Sequence, residues 1–258
     1  MLERERRDTI LRLLDLHGWA SIHEVVEACG ASEATIRRDF IEMELEALLR
    51  RVRGGAELIR ERAAGTAGPR GEQPLDRRVS INSEKKRRIA RQACSYIKSG
   101  DTIIIDGGST TFHMVEYLSS LSITVVTNSF AIASHLIRHS LCTIILPEGR
   151  VNPNSQLILN NLSADPFANY HAATAFMGIE GITEKSLTNS EPLLIQSERA
   201  MILHAQELVI LADETKFGKM GNLALCPVEK AAKIISTKEA DVDIVESLRR
   251  KGIEVVLV

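Results

Sequence analysis

Seven short runs rich in β-branched residues lie between residues 102 and 258, and helical stretches alternate with them. Such alternation is typical of a mostly parallel sheet with helices on both faces. The runs are Thr102–Ile105, Ile123–Thr127, Thr143–Leu146, Ala173–Met177, Leu208–Ala212, Lys233–Ser236 and Ile253–Val258. We therefore predict an α/β fold for this part of the chain, with ligands bound at the carboxyl ends of its strands.

The N-terminal part of the chain has the pattern of short capped helices. Apolar residues recur at helical spacing from Ile10 to His17, and Gly18 closes this first helix. Ser21 and Glu24 have the spacing of a capping box at the start of a second helix. The segment Gly30-Ala31-Ser32 then predicts a tight turn and a new N-cap, followed by a third helix. Two capped helices joined by a three-residue turn predict a helix-turn-helix.

The third predicted helix has an apolar face and an arginine-bearing face. If its apolar residues Ile36, Phe40 and Met43 face the core, Ala34, Thr35, Arg37 and Arg38 lie near its N-terminal end, where such helices reach base edges. Arginine pairs with guanine, and the methyl groups of Ala34 or Thr35 contact thymine. The alternative is that Arg37 and Arg38 are solvated surface residues, because glutamates follow them closely. The arginines lie at the start of the helix and the glutamates at its end, and this separation favours the DNA contact.

A basic hairpin follows this helix. Residues 48–58 alternate in character and turn at the pair Gly54-Gly55, which predicts a two-stranded wing. Arg50, Arg51 and Arg53 lie on this wing, where they are predicted to contact the phosphate backbone and add salt-dependent affinity. The formal net charge of -2 gives no overall electrostatic sign of nucleic-acid binding, so the prediction depends on this local placement.

A stretch of small residues separates the two parts of the chain. Residues 62–74 are rich in alanine and glycine and lack hydrophobic periodicity, which is typical of a linker. We predict a winged helix-turn-helix domain in residues 1–60, a linker in residues 61–80 and a larger α/β domain in residues 81–258.

The N-terminal motifs resemble those of a known family of bacterial regulators. Residues 31–40, ASEATIRRDF, and residues 51–56, RVRGGA, are similar to the helix-turn-helix and wing signature of the DeoR family. In that family the segment from Ser32 to Asp39 is the recognition helix, the helix that enters the major groove. The resemblance and the helical pattern together predict the following DNA-binding residues: Ser32, Ala34, Thr35, Arg37, Arg38, Arg50, Arg51 and Arg53.

A glycine turn follows the first run of the C-terminal part. The segment from Ile103 to Phe112 predicts a strand, a turn at Gly107-Gly108 and the start of a helix. Glycines let a backbone approach an anion closely, and the free amides of a helix start attract phosphate. Hydroxyl groups of Ser109, Thr110 and Thr111 add donors. The alternative is a turn that needs glycine for packing alone.

The resemblance covers nearly all of the C-terminal part as well. Residues 83–90, Asp106–Thr111, Thr127–Asn128 and Lys216–Gly218 are similar to the DeoR sensor domain. The resemblance implies a fold similar to that of ribose-5-phosphate isomerase and CoA-transferase subunits. It also implies that a phosphorylated sugar binds this domain and releases the protein from DNA. The effector-site residues that it implies are Asp106, Gly107, Gly108, Ser109, Thr110, Thr111, Asn128 and Lys216.

These observations predict a homo-oligomeric repressor of a carbohydrate-utilisation operon. It binds double-stranded operator DNA and is released by a phosphorylated sugar or sugar acid. A ligand-dependent activator is one alternative. A sugar-phosphate isomerase is the other, with Glu180 as base and Lys216 as electrophilic stabiliser.

We predict no catalytic residue, metal or cofactor, because the motifs for nucleotide, metal and serine-nucleophile sites do not occur. The charged N-terminal segment and the lack of a long apolar run predict a cytoplasmic protein without a membrane partner.

Overall fold

The computed structural model describes residues 3–17, 19–46, 48–52, 54–58, 74–159 and 165–258. The described residues fall into two compact units, one within residues 1–67 and the other within residues 68–258. The elements of the N-terminal unit are α1 (Glu3–His17), β1 (Trp19–Ser21), α2 (Ile22–Cys29), α3 (Glu33–Leu45), β2 (Leu49–Val52) and β3 (Gly55–Leu58).

The predicted helix-turn-helix is confirmed. The Ser21 hydroxyl accepts a hydrogen bond from the Glu24 amide (3.1 Å), and the Glu24 carboxylate accepts one from the Ser21 amide (2.7 Å). This capping box starts α2, and Ser32 caps α3 through the Thr35 amide. The predicted apolar face of α3 is fully buried with residues of α1, α2 and the small sheet: Ile10, Leu14, Val25, Ile36, Phe40, Met43 and Leu49.

The wing is part of a three-stranded antiparallel sheet in the order β1-β3-β2. The strand β1 was not predicted, because three residues are too few to show an alternating pattern. The glycine pair has two separate causes. Gly54 has a φ of +85°, which favours glycine, and a Cβ on Gly55 would lie 2.2 Å from the Ala20 carbonyl oxygen of the paired strand.

An ion pair joins α1 to α3 inside this unit. Arg6 Nε lies 2.7 Å from Asp39 Oδ2, and Arg6 Nη2 lies 2.9 Å from Asp39 Oδ1, so the guanidinium binds both carboxylate oxygens. Asp39 is only 3% exposed although it follows directly after the predicted DNA readers. The pair therefore fixes the orientation of α3 rather than contacting solvent.

We expect Asp39→Ala to lower the free energy of unfolding of this unit by about 2 kcal/mol, because Arg6 then keeps a largely desolvated charge without its bidentate partner. Native-state hydrogen exchange of α1 and α3 amides in the full chain measures this change. Asp8→Ala, at an exposed position of α1, is the matched control. Equal effects of the two substitutions would show that the Arg6–Asp39 pair contributes nothing.

The C-terminal unit contains the larger set of elements. Its helices are α4 (Leu75–Ser80), α5 (Ser83–Cys94), α6 (Ser109–Phe112), α7 (Val115–Leu118), α8 (Phe130–His139), α9 (Pro192–Leu203) and α10 (Val242–Arg250). Its strands are β4 (Thr102–Ile105), β5 (Thr124–Thr127), β6 (Thr143–Ile145), β7 (Arg150–Val151), β8 (Ile158–Leu159), β9 (Ala172–Gly178), β10 (Gly181–Ile182), β11 (Ser186–Asn189), β12 (Ala205–Leu211), β13 (Leu223–Pro227), β14 (Lys233–Ser236) and β15 (Glu254–Leu257). Two 3-10 turns, Glu214–Lys216 and Val228–Lys230, complete the described elements.

The α/β prediction is confirmed. Each of the seven predicted runs forms one strand of a seven-stranded sheet in the order β15-β14-β12-β9-β4-β5-β6, and all of its pairings are parallel. From β4 the chain proceeds to one edge through β5 and β6, whereas β9 returns to the other side of β4 and the later strands continue outward. The order therefore reverses between β4 and β9, and α/β sheets bind ligands at such a point.

Helices cover both faces of this sheet. Within β4, Ile103 and Ile105 pack in a cluster with α5, α7 and α8, whereas Ile104 packs in a second cluster with α9 and α10. Burial on both faces explains why these strands are continuous apolar runs without polar alternation.

Three features differ from the expectation or were missed. The last part of the predicted linker is helical, because Leu75–Ser80 forms α4 and Leu75 is buried. Strands β10, β11 and β13 form a small antiparallel sheet that was not predicted. Helix α9 was also missed, although Pro192 at its first turn is a helix-start signal. Across the described part of the chain, no helix combines the length and apolar character that a membrane crossing requires.

Candidate functional site

The predicted DNA-reading residues lie together on the N-terminal turns of α3 and on the wing. Ala34, Arg37 and Arg38 are exposed, and Thr35 is half-buried. Ser32 is exposed but its hydroxyl is used locally, because it accepts from the Thr35 amide and lies 2.8 Å from Thr35 Oγ1. Arg53 lies outside the described residues. The structure thus brings an exposed helix start and a basic strand into one small unit.

Most of these arginines already have acidic partners. Arg37 Nη2 lies 2.6 Å from Glu33 Oε1, and Arg51 Nε lies 2.6 Å from Glu44 Oε2. Arg50 pairs with Glu57 across the wing. Arg38 differs, since it is exposed and has no ion pair among the residues that the structure describes. Of the predicted readers described, Arg38 is thus the one whose charge is free for a phosphate or a base.

A cavity of about 410 Å³ lies in the C-terminal unit, at the carboxyl ends of β4, β9 and β12. These strands include the point where the sheet order reverses. Six of the eight predicted effector residues border this cavity: Asp106, Gly107, Gly108, Ser109, Thr110 and Lys216. The expected convergence of separate loops is therefore observed for the residues after β4 and after β12.

The other two predicted residues, Thr111 and Asn128, are fully buried and do not line the cavity. The Asn128 amide donates to Asp106 Oδ1 (3.0 Å) and its oxygen accepts from the Gly107 amide (2.8 Å). The Thr111 hydroxyl accepts from the Gly108 amide (2.9 Å). Both side chains hold the glycine turn in place and neither lies on the cavity wall, so their direct contact with the effector stays a prediction.

The glycine turn also differs from the predicted phosphate cradle. The amides of Gly107 and Gly108 donate hydrogen bonds to the side chains of Asn128 and Thr111, so they are not available to a phosphate. The helix that follows is only four residues long. A Cβ on Gly107 would lie 2.0 Å from Leu157 Cδ2, so packing requires a glycine there. The amides of Ser109 and Thr110, at the helix start, remain as anion donors from this segment.

Lysine side chains supply most of the positive charge at the cavity. Lys216 ends the 3-10 turn after β12 and has no ion pair among the described residues. Lys86, on α5, is 5% exposed and its Nζ donates to the Arg78 carbonyl (2.5 Å) and to Ser109 Oγ (3.0 Å). Burial lowers the pKa of Lys86 to about 8. The charge of Asp213 opposes this shift, whereas the charges of Lys216 and Arg78 add to it.

Lys86 was not among the predicted site residues. The signal was present in the sequence, because Lys86 lies at helical spacing on the face that carries Ile89, Ala90 and Ala93. A lysine on the buried face of a helix is costly unless its ammonium group has partners.

Three buried carboxyl-bearing residues border the cavity as well: Asp106, Glu198 and Asp213. Burial raises the pKa of Asp106 to about 6, although hydrogen bonds from Asn128 and Gly107 and the charge of Arg78 oppose the shift. Burial, reinforced by the charge of Asp106, raises the pKa of Glu198 well above its usual value. Glu198 lies on α9, which sequence reasoning missed. Its Oε1 accepts from Asn189 Nδ2 (2.5 Å), whereas Oε2 is buried and has no hydrogen-bond partner among the described residues.

We expect Glu198→Gln to stabilise the protein increasingly as the pH rises. A carboxyl group with a raised folded-state pKa contributes stability that is complete below its unfolded pKa and is lost as the pH rises through the folded value. The difference in thermal midpoint, variant minus wild type, is therefore expected to increase by about 3 °C or more between pH 4 and pH 8. Differential scanning fluorimetry measures it, with exposed Glu184→Gln as control. A difference that does not change with pH would contradict the assignment.

Within the described ranges, no group of three or more His, Cys, Asp or Glu side chains is arranged to hold a metal ion.

Two family models match the chain. Residues 6–62 match the DeoR-like helix-turn-helix domain, and residues 81–238 match the DeoR C-terminal sensor domain. The chain belongs to the DeoR family. The resemblance drawn from residues 31–40 and 51–56 is thus confirmed, and the protein is a DNA-binding transcriptional regulator with an N-terminal helix-turn-helix and a C-terminal sensor domain.

Similar proteins include the HTH-type transcriptional regulator UlaR of Escherichia coli (strain SMS-3-5 / SECEC) and of Shigella boydii serotype 18. Each is 26% identical over 258 residues, which covers 100% of both chains. Among solved structures, ribose 5-phosphate isomerase A from Methanocaldococcus jannaschii is 19% identical, with a TM-score of 0.39 over 53% of this chain and 55% of that one. The translation initiation factor eIF-2B of Pyrococcus horikoshii OT3 is 14% identical, with a TM-score of 0.37 over 85% of this chain and 68% of that one.

Proposed function

We propose that this regulator is a repressor of a carbohydrate-utilisation operon and that a phosphorylated sugar releases it from its operator. Residues 1–60 bind double-stranded DNA, residues 81–258 bind the effector, and the segment between them connects the two. The observation that carries the proposal is the cavity at the reversal of the sheet order, where Lys86, Lys216 and Arg78 contribute positive charge beside polar donors. A phosphate group fits this charge and a sugar fits the polar remainder.

Release follows from a difference in affinity. A ligand that binds one arrangement of the protein more tightly shifts the population towards that arrangement. The effector and the DNA then change each other's binding affinity by the same coupling free energy. In this proposal, the sugar phosphate favours an arrangement in which the winged domains do not match paired operator half-sites.

The regulator is proposed to act as a homo-oligomer. One recognition helix covers one half-site, and paired half-sites require two such units at a fixed spacing. Exposed apolar side chains on and after α8, namely Phe130, Ile137 and Leu141, support a surface that is covered in an assembly. Light scattering during size-exclusion chromatography measures the number of chains.

The proposal is tested by DNA release. A duplex selected by the wild-type protein from a random pool serves as the operator, and fluorescence anisotropy follows the complex during titration with a panel of sugar phosphates and sugar-acid phosphates. We expect at least one of them to lower DNA affinity, whereas the unphosphorylated sugars do not. If no phosphorylated compound in the panel changes the affinity, the proposal fails. A promoter fusion in a strain without the gene separates repression from activation, because loss of a repressor raises expression.

Binding without turnover is proposed for the sensor unit. An isomerase needs a positioned base and an electrophilic stabiliser. Glu180 and Lys216 both border the cavity, but the Glu180 carboxylate accepts a hydrogen bond from the Ser190 hydroxyl. The relatives named above are transcriptional regulators. Incubation with the same panel is expected to give no isomer by NMR, and formation of one would favour the enzyme alternative.

A further inference from the structure

Helix α3 carries an exposed strip of residues that follow one another at steps of three and four. The strip consists of Ala34, Arg37, Arg38, Ile41 and Leu45, and all five side chains are exposed. Residues at these spacings are neighbours on one side of a helix. The strip begins with three of the predicted DNA-reading residues, and its second half is apolar.

Ion pairs to neighbouring elements hold the glutamates that flank the strip. On one side, Arg7 of α1 pairs with Glu42 (2.8 Å) and with Glu46 (2.9 Å). On the other side, the Glu44 carboxylate accepts hydrogen bonds from the Arg51 backbone amide (2.8 Å) and from Arg51 Nε (2.6 Å). The acidic groups beside the strip are therefore balanced by cations of α1 and of the wing, so a polyanion can approach it.

Ile41 occupies a reading position on this strip. A recognition helix that lies in the major groove can read bases with residues at positions i, i+3, i+4 and i+7 of one face. Ala34, Arg37, Arg38 and Ile41 have this spacing, and Ile41 is 44% exposed. Leu45 is 84% exposed but lies a further turn along the helix, outside this set. Ile41 was not among the predicted DNA-binding residues, because it has no polar group.

The chemistry of Ile41 limits what it can recognise. An aliphatic side chain neither donates nor accepts hydrogen bonds, so it distinguishes bases only by their apolar groups. Of the four bases, thymine alone presents a methyl group in the major groove. Contact between this methyl group and Ile41 removes apolar surface of both from water, which is favourable.

Given the proposed binding of DNA by residues 1–60, on which this inference rests, we propose that Ile41 reads a thymine of the operator through its 5-methyl group. Arg37 and Arg38 supply charge and hydrogen bonds on the same strip. Ile41 adds an apolar determinant of sequence, one base pair in each half-site.

Replacement of thymine by deoxyuridine tests this, because it removes the methyl group and keeps the base pairing. Each thymine of the duplex selected by the wild-type protein is replaced in turn, and fluorescence anisotropy measures the affinity of the full chain. We expect the wild type to lose about fourfold in affinity at one thymine at least, as for one buried methyl group. In Ile41→Ala the loss at that position is expected to be about 1.5-fold or less, and in Ile41→Val about twofold.

Leu45→Ala is the matched control, because Leu45 is an exposed apolar residue on the same strip beyond the reading positions. Its deoxyuridine effect is expected to equal that of the wild type, and the comparison forms a double-mutant cycle between side chain and methyl group. The size of the particle is measured for each variant by light scattering.

Three outcomes would overturn the inference and leave the proposed function standing. The wild type is insensitive to deoxyuridine at every thymine, or Ile41→Ala keeps every effect, in which case Ala34 or Thr35 contacts the methyl group. In the third, Ile41→Ala keeps the effects but lowers the number of chains in the particle, so the strip joins two copies of the protein. If the wild type selects no duplex from the random pool, the proposed function fails and the inference fails with it.

Discussion

Arg38→Ala is expected to weaken binding to the selected operator duplex by about 30-fold or more. Arg38 is exposed on the first turns of the recognition helix and keeps its charge unpaired among the described residues, so its full interaction with DNA is lost on truncation. A good arginine pair with a base contributes roughly 1–3 kcal/mol. Arg37→Ala is expected to weaken binding only about threefold, because Arg37 must break its ion pair with Glu33 before it contacts DNA.

The distinction between base reading and phosphate contact is measured on two duplexes. If Arg38 reads a base, the preference for the operator over a scrambled duplex falls with the affinity. Arg50→Ala and Arg51→Ala on the wing are expected to weaken binding to both duplexes equally and to reduce the salt dependence. Arg250→Ala, at an exposed position of α10, is the control and should bind as the wild type does. An Arg38→Ala variant with unchanged affinity would remove α3 as the reading element.

Lys216→Ala is expected to weaken effector binding by about 100-fold. Its ammonium group borders the cavity without an ion pair among the described residues, so a bound phosphate is its natural partner. Truncating one member of a hydrogen-bonded charge pair in a desolvated site costs several kcal/mol. In a thermal-shift titration, the sugar phosphate that stabilises the wild type should stabilise this variant only at about 100-fold higher concentration.

Lys230→Ala is the matched control, since Lys230 is exposed at the end of the other 3-10 turn. It should keep the wild-type shift. If the Lys216→Ala protein is stabilised at the same concentrations as the wild type, the phosphate is bound elsewhere in the cavity or outside it.

The parts of the fold that the sequence predicted are those in which one local signal decides the structure. The capping box at Ser21 and the N-cap at Ser32 fix two helix starts within four residues each, and their hydrogen bonds are present. The strands of the large sheet are buried on both faces, so their apolar runs are continuous and easily seen. Loops that end parallel strands meet at one edge, and this brought six predicted effector residues together.

The parts that were missed depend on contacts between distant segments. Strands β10 and β11 are short, so each holds few apolar residues. Their antiparallel partners are set by the tertiary fold. Asn128 is predicted to contact the effector because it follows a strand and matches the family's sensor domain, and the structure shows in addition that its side chain bonds to Asp106 and Gly107. Which polar atoms face the cavity and which are used internally depends on three-dimensional geometry that spacing along the chain does not contain.

The bond from Lys86 to the Arg78 carbonyl has a consequence for how occupancy is communicated. Arg78 lies on α4, and in sequence α4 directly follows the segment that leads from the DNA-binding domain. The same ammonium group donates to Ser109 Oγ at the cavity, so the phosphate of the proposed effector would compete with a backbone carbonyl for one set of donors. Under the proposed function, this shared cation would connect the occupancy of the cavity to the anchoring of the first helix after the connecting segment.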